Sequence, residues 1–392
     1  MRCPAVTLLF VMLGALSALA QSAATNTPSA TDTSSSTNAP SKFFSPEDGW
    51  FDVSGFLDTA YGFLPIVIPI TEPAVGYGAA GGLAFISKPF GEVKSEYDRP
   101  NVTMIGGFGT ENGSWGAVAG DMRHWLDGRL QTLAGVVYSS VNLDFYGIGA
   151  GGPLANNPLS YNLEPKGGLV QAKYAIGNSR FLVGLNYAYA ITEVTFDAPA
   201  GTPGLPVYQS ETRVGGLTPS LTFDTRDNIF TPTRGTYVEA SVGLFSQALG
   251  GDDEFQRAQI IAMQYVQLHP QWFLGLRGQV AGSFGDVPFY LRPFISMRGV
   301  PMMQYQGEEL AQLEVELRWQ CWKRFSLVGF VGGGVVWNDF ERFDDSTAVV
   351  AGGVGFRYEI ARKYGLHMGL DVAFGPDDPA IYVQVGSAWS RP

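Results

Sequence analysis

The sequence predicts an all-β protein, a transmembrane antiparallel β-barrel of about 16 strands. Apolar and polar residues alternate with a period of two, most plainly over residues 167–196, and this period is typical of strands. Charged residues make up only 16% of the chain, against roughly 25% in soluble domains. The 50 glycines and 13% aromatic residues suit the inner wall and the aromatic girdles of a membrane barrel. A large soluble β-sandwich or propeller is the alternative that these features disfavour.

The first 61 residues divide into three predicted segments. Residues 1–20 resemble a secretory signal peptide, with an apolar run before small residues suited to cleavage. Residues 21–44 are rich in Ser, Thr, Ala and Pro, so we expect a disordered periplasmic tail. Residues 45–61 place Pro46 after a Ser, a favourable helix start, and predict a short helix or a plug-like segment at the barrel mouth, with plain coil as the alternative. The barrel is expected over 62–392.

About sixteen strand candidates follow, separated by clusters of Gly, Pro, Asn and Asp that mark turns. An even number of strands is usual in single-chain bacterial barrels. The candidates lie near 62–69, 75–88, 101–110, 114–126, 129–143, 167–177, 180–196, 211–225, 235–247, 254–268, 272–285, 307–320, 324–338, 348–361, 364–375 and 380–389.

The strand near 307–320 shows clearly which face of the barrel wall is which. Leu313 and Leu317 alternate with Glu314, Glu316 and Arg318, so all the charges lie on one side. A basic residue facing lipid at mid-bilayer costs about 2–4 kcal/mol. We therefore expect the charged set to face the lumen.

Several classes of site and partner are disfavoured by composition. The net charge of −11 argues against a nucleic-acid partner. Cys321 stands alone once the predicted signal peptide is removed, so an intrachain disulfide is not expected. The histidines His124, His269 and His367 are too few and too scattered to predict a metal site. No catalytic or phosphate-binding motif occurs, so we expect no enzyme activity, no cofactor and no metal.

Local patterns in the C-terminal half resemble the BamA/TamA-type outer-membrane superfamily, also called the bacterial surface antigen family. The first pattern follows Phe223 and is similar to the family's strand-turn-strand signature. Pro232 and Gly235 predict a tight periplasmic turn there, and the acidic and basic residues supply charges that can pair. The residues singled out in this pattern are Asp224, Arg226, Asp227, Pro232 and Gly235.

A second pattern, from Met297 to Val300, resembles the family's arginine-glycine motif at the tip of a long loop folded into the lumen. The resemblance implies that Arg298 tethers the loop to acidic residues of the inner wall, here Glu314 or Glu316. Gly299 permits close approach of the backbone. A charge-assisted bond of this kind in a confined site is stronger than a surface pair.

Two further patterns lie in the last hairpins. Residues 353–358, with Asp371 after the next turn, are similar to the family's penultimate hairpin. The last strand resembles the family's C-terminal insertion signal, which the assembly machinery reads during biogenesis. Its Gly suggests a weak or bent closing seam, because Gly adds no side-chain packing to a strand. The residues singled out are Ile381, Val383, Val385, Gly386 and Trp389.

The resemblance implies a protein of the bacterial outer membrane that takes part in protein or lipid insertion or translocation. The stretch before the barrel is too short for one of the family's periplasmic repeats, so a barrel-only member is implied. The expected partners are outer-membrane lipid, the barrel-assembly machinery and a polypeptide or lipid client, and we expect a monomer. A passive porin-like channel is the first alternative function. A lipid-modifying membrane enzyme is the second.

Overall fold

The computed structural model describes residues 43–58, 62–86, 101–148, 154, 157–177, 179–197, 208–338 and 346–389. The predicted signal peptide and nearly all of the predicted tail lie outside these residues. Within the described ranges, no helix has the length and apolar character needed to cross a bilayer.

Sixteen antiparallel strands form one sheet in simple chain order, which confirms the predicted all-β barrel. β1 and β16 lie side by side, so the barrel is nearly closed. The strands are β1 (Gly62–Glu72), β2 (Gly76–Ile86), β3 (Val102–Thr110), β4 (Trp115–Trp125), β5 (Leu130–Phe145), β6 (Leu159–Ala175), β7 (Phe181–Phe196), β8 (Tyr208–Asp224), β9 (Gly235–Phe245), β10 (Phe255–His269), β11 (Trp272–Gly285), β12 (Glu309–Trp322), β13 (Phe325–Trp337), β14 (Thr347–Ala361), β15 (Leu366–Phe374) and β16 (Ala380–Val385).

Two strands differ clearly from their predicted bounds. β6 begins at Leu159, eight residues before the predicted start at 167, because its first residues pair with the end of β5 beyond the plainly alternating region. β16 ends at Val385 instead of 389, because Gly386 adopts a φ of +77° that turns the chain out of the sheet. Only glycine adopts such an angle readily.

The two faces of the wall follow the predicted alternation. Outward residues such as Val170, Leu313 and Val350 are exposed, as side chains in contact with lipid would be. The inward residues Glu314 and Arg318 are buried. β1 is different, because its inward residues Leu64, Ile66, Ile68 and Ile70 are also apolar. Leu64 and Ile70 are buried in one cluster with Leu57 from the N-terminal segment, and Ile66 packs against that cluster.

Strand direction gives the barrel two distinct ends. β1 starts and β16 finishes at the same end, which we call the terminal end, and the opposite end is called the loop end. The N-terminal segment, residues 43–58, lies at the terminal end and contains one short helix, α1 (Ser54–Asp58). The long connection from β11 to β12, residues 286–308, starts at the loop end and is called the inward loop.

Candidate functional site: the inward loop and the seam

The inward loop is packed inside the barrel. Most of its apolar side chains are almost fully buried, and a short 3-10 helix (Phe289–Leu291) lies near its start. Phe289 lies against aromatic side chains of the opposite wall, including Phe145 at 4.9 Å and Tyr161 at 5.3 Å between ring centroids. The loop therefore crosses the lumen. Its most buried apolar residues are Tyr290, Leu291, Ile295, Val300 and Met303.

Arg298 lies at the tip of the inward loop and contacts two acidic residues of the wall. Its guanidinium donates to Asp371 Oδ2 at 2.7 Å and forms an ion pair with Glu316 Oε2 at 2.7 Å. It also lies 3.6 Å from the ring centroid of Phe330, which is cation–π geometry. Asp371 is fully buried and accepts a second charged donor, Arg357. The tip is thus held by a cluster of two arginines and two carboxylates, of which Arg298, Arg357 and Asp371 are buried and Glu316 is partly buried.

Gly299 fits where a side chain would not. Its φ is +89°, and its N–H donates to the hydroxyl of Tyr382 at 3.0 Å. Gly375 approaches from the wall, where a Cβ would lie 1.8 Å from the carbonyl oxygen of Gly299. The backbone of the tip therefore lies directly against the wall.

Glu314 is not the partner of Arg298, and that alternative is wrong. It pairs with Arg277, which lies opposite it in the β11–β12 register. Arg277 also donates to the carbonyl oxygen of Ser296 at 3.0 Å, so this pair supports the loop from below its tip. Gly332 leaves room for this arrangement, because a Cβ there would lie 2.7 Å from Glu314 Cγ and 2.9 Å from Met297 Sδ.

Asp371 is the partner that sequence reasoning missed. It lies 73 positions after Arg298 and was noted only as part of a hairpin pattern. The alternation of β15 does place Asp371 on the inner face, and a carboxylate there calls for a cationic partner. Which cation reaches it depends on the path of the loop, which no local pattern encodes.

The signature between β8 and β9 is longer than the predicted tight turn. Ten residues, 225–234, separate the strands, because this connection folds against the C-terminal stretch instead of reversing at once. The guanidinium of Arg226 donates two hydrogen bonds to the carboxylate of Asp224, at 3.0 and 2.8 Å. Asp227 Oδ1 accepts the backbone N–H of Thr233 at 3.0 Å.

Gly235 and Pro232 complete this connection. Gly235 has a φ of +107°, and a Cβ there would lie 2.3 Å from the carbonyl oxygen of Thr225. Pro232 is buried. The neighbouring carbonyl oxygen of Phe230 accepts the N–H of Ser387, which links the signature to the chain end.

The residues of the predicted insertion signal do not share one strand. Ile381, Val383 and Val385 lie on β16, and the N–H of Gly386 still donates to His367 of β15 at 2.7 Å. Beyond Gly386 the chain turns inward, and Trp389 donates from Nε1 to Glu314 Oε2 at 3.2 Å inside the lumen. The terminal aromatic residue is therefore 7% exposed and faces no lipid.

The seam between β1 and β16 is held weakly along its length. Every other neighbouring pair of strands forms a ladder, but none joins β1 to β16 in the described part of the chain. Their contact there includes a hydrogen bond from the N–H of Val383 to Thr71 Oγ1 at 3.3 Å. A side chain, not the backbone, accepts this bond.

The inward loop braces the loop end of this seam. The N–H of Met302 donates to Glu72 Oε1 on β1 at 3.0 Å. Gln304 Nε2 donates to Asp377 Oδ2 in the β15–β16 turn at 2.7 Å. Two neighbouring positions of one loop therefore hold opposite sides of the seam.

The N-terminal segment is anchored at the terminal end by Arg324, from the turn between β12 and β13. Arg324 donates to Asp48 at 2.8 Å and to Asp52 at 2.8 Å, and it is 1% exposed. The hydrogen bond from Arg324 lowers the pKa of Asp48 to about 2. Burial acts to raise the pKa of Asp52, but hydrogen bonds from Ser54 and Arg324 outweigh it and lower that pKa overall.

Comparisons with known proteins agree with this architecture. Residues 155–377, more than half of the chain, match the model of the Omp85 superfamily domain. No curated protein matches the sequence. Among solved structures, BamA from Haemophilus ducreyi lacking POTRA domains 1–3 is similar, with a TM-score of 0.56 at 11% identity, over 83% of this chain and 69% of that one.

Two further solved structures share the fold. CdiB from Escherichia coli gives a TM-score of 0.60 at 11% identity over 82% of this chain, and CdiB from Acinetobacter baumannii gives 0.53 at 10% identity over 82%. This chain spans 61% and 59% of the lengths of those two chains.

Proposed function

Because this chain belongs to the Omp85 superfamily, we propose that it assists the insertion or translocation of polypeptides at the bacterial outer membrane, and that the seam between β1 and β16 opens during this work. Membership confirms the resemblance drawn from the sequence motifs. A protein of this superfamily with an apolar outer wall belongs in the outer membrane.

The weak seam is the observation that supports this proposal most directly. A closed barrel abolishes its sheet edges, and each missing pairing leaves backbone groups without partners. Among the described strands, β1 and β16 are the neighbours that no ladder joins, whereas the other neighbouring pairs keep a ladder even where a few of its pairings are interrupted. Separating these two strands breaks few backbone hydrogen bonds, so it costs much less than separating any laddered pair.

The contacts of the inward loop support a seam that opens when a polypeptide enters the lumen. Met302 and Gln304 brace the two sides of the seam, and Arg298 fixes the same loop to the wall. A polypeptide that enters the lumen must displace this loop, and displacement removes the braces. The loop also crosses the lumen, which disfavours the alternative of a wide, steadily open passive channel.

A locked seam tests the proposal. In a Cys321→Ser background, Thr71→Cys with Val383→Cys joins the two strands by a disulfide, and reduction restores the free seam. The barrel is placed in liposomes, and a urea-unfolded eight-stranded outer-membrane barrel is added as client. We expect the reduced form to accelerate client folding severalfold over empty liposomes and the oxidised form to lose most of this gain.

Each outcome of this assay decides something. Equal acceleration by the oxidised and reduced forms would exclude the seam as the route. No acceleration by either form would count against an insertion role, and a large steady conductance in planar bilayers would then favour the porin-like alternative. Oxidation of the single Thr71→Cys variant in the same background is the matched control and should change nothing.

A further inference from the structure

Two prolines stand on the strand that borders the seam. β1 carries Pro65 and Pro69, and the described strands hold only two others, Pro165 on β6 and Pro219 on β8. Proline has no N–H to give to a ladder, so within sheets it is confined to edges, strand starts and bulges. Which side of β1 lacks these donors decides what the prolines do.

The prolines of β6 and β8 show how this barrel accommodates such residues. Pro165 keeps its pairing with Thr192 of β7, but the ladder between β5 and β6 is interrupted beside it. Pro219 keeps its pairing with Leu185 of β7, but the ladder between β8 and β9 is interrupted beside it. Each of these prolines therefore breaks one of its two ladders and leaves the other intact.

On β1 the intact ladder is the one to β2. All eleven residues of β1 are paired with β2 without a break, so the missing donors face the other way. The hydrogen bonds of Tyr77 agree with this. The C=O of Tyr77 accepts the backbone N–H of Glu111 at 2.8 Å, and the N–H of Tyr77 donates to the side-chain Oε1 of Glu111 at 3.1 Å. Both groups therefore point to the β3 side, and the next residue along β2, Gly78, faces β1. Its partner Ile70 then faces β2, and Pro69 faces the seam.

The same alternation assigns every position of the seam edge. Residues 63, 65, 67, 69 and 71 point their backbone groups away from β2, to the seam edge, and two of these five positions lack a donor. Thr71 lies beside Val383, so in an antiparallel register Pro69 lies beside Val385, the last residue of β16. A ladder between β1 and β16 would need a backbone bond between Pro69 and Val385, and Pro69 has no N–H to donate to it.

Pro65 has a different position. Because β16 ends at Val385, no strand residue lies beside the seam edge of β1 at Pro65. An unpaired N–H is costly in hydrocarbon, and proline removes that donor. Pro69 therefore weakens the closed seam, and Pro65 lowers the cost of the unpaired edge.

We propose that Pro65 and Pro69 hold the seam of this barrel in a weakly paired state, so that β1 and β16 separate without first breaking a ladder. The two residues are positioning residues for the seam. The inference depends on the proposed function only for what the open seam is used for.

Spin-label distances across the seam test this inference on the purified protein in nanodiscs, without any client. Labels at Leu83→Cys on β2 and Leu370→Cys on β15 lie outside the seam strands, and both positions are exposed on the outer wall. Cys321→Ser removes the thiol that the chain keeps after the predicted signal peptide is cleaved. We expect a wide distance distribution with a long-distance population in the parent protein.

Restoring the donors should close the seam. Pro69→Val should reduce the long-distance population at least about fivefold, and Pro65→Val should add a smaller reduction. Pro219→Val is the matched control, because it removes a strand proline far from the seam, and it should leave the distribution unchanged. Identical distributions for the parent and the Pro65→Val/Pro69→Val variant would overturn the inference.

A variant of opposite sign keeps the test decisive if the valine variants fail to fold. Thr71→Pro removes a third donor from the same edge, beside Val383, and should enlarge the long-distance population. An unchanged distribution would again overturn the inference. The client-folding assay then separates the two proposals: a seam that Pro69→Val closes with no loss of client folding would exclude the proposed route but not the role of the prolines.

Discussion

Replacing Arg298 with alanine should release the tip of the inward loop from the barrel wall. Arg298 is 7% exposed, and its guanidinium lies between Asp371 and Glu316, over the ring of Phe330. Alanine removes every one of these contacts. It leaves Asp371 with Arg357, whereas Glu316 loses its ion-pair partner.

The contacts set the expected size of the effect. Removing one partner of a buried ion pair costs about 3–5 kcal/mol. Because Arg357 still compensates Asp371, the lower end of this range applies. A loss of about 3 kcal/mol raises the equilibrium constant for loop opening by about a hundredfold, since 1.4 kcal/mol is a factor of ten.

Hydrogen exchange at two backbone amides measures this opening. The N–H of Gly299 donates to Tyr382, and the N–H of Ser296 donates to Gln312 Oε1 at 3.0 Å, so both amides are protected only while the loop is docked. Arg298→Ala should accelerate their exchange about a hundredfold. Arg292→Ala is the control in the same loop, because the Arg292–Glu308 pair is partly exposed and worth at most about 1 kcal/mol.

Exchange of the two amides within about threefold of wild type would refute the tether. Adding Glu316→Gln to Arg298→Ala provides a second check. It removes the carboxylate that lost its partner, so part of the lost protection should return. No recovery would mean that Glu316 is well solvated without Arg298, contrary to the burial argument.

Three further expectations concern the wall and the N-terminal segment. Gly375→Ala should weaken loop docking, because its Cβ would lie 1.8 Å from the carbonyl oxygen of Gly299, whereas Gly329→Ala meets nothing within 4 Å; thermal unfolding of the two variants compares them. Arg324→Gln should free the N-terminal segment, seen as new protease cleavage within 43–58. Arg324 stabilises the anion of Asp48 in the folded state and lowers its pKa to about 2. Asp48 therefore contributes fully to docking of the N-terminal segment above the ordinary carboxyl pKa near 4, and this contribution is lost as the pH falls through about 2. The anisotropy of a fluorophore on the segment should drop near pH 2 and stay unchanged at pH 5.

Strand number and the two faces of the wall were predictable because they depend on local chemistry. A period of two places alternate residues on opposite faces whatever the neighbouring strand is. The bounds of β6 and β16 were less accurate. Leu159 pairs in a stretch without clear alternation, and the end of β16 depends on how Gly386 turns.

The candidate site was only partly within reach of the sequence. Arg298 and Gly299 were identified through a family motif, and Glu316 through alternation on the strand that follows. Alternation alone leaves Glu314 and Glu316 as alternative partners, because both lie on the same face of β12. The register of β11 decides between them by placing Arg277 opposite Glu314, and register is a relation between strands.

The sequence by itself determined that this chain makes a barrel wall with a lipid face and a lumen face, because that property repeats at every second residue. It also contains two prolines near the start of the barrel, but it does not show which neighbouring strand their backbone groups face. Only the tertiary structure decided that Pro65 and Pro69 face the seam and that Arg298 reaches Asp371. Both facts depend on which strand lies beside which, and a backbone donor or a buried charge has no consequence until its neighbour is known.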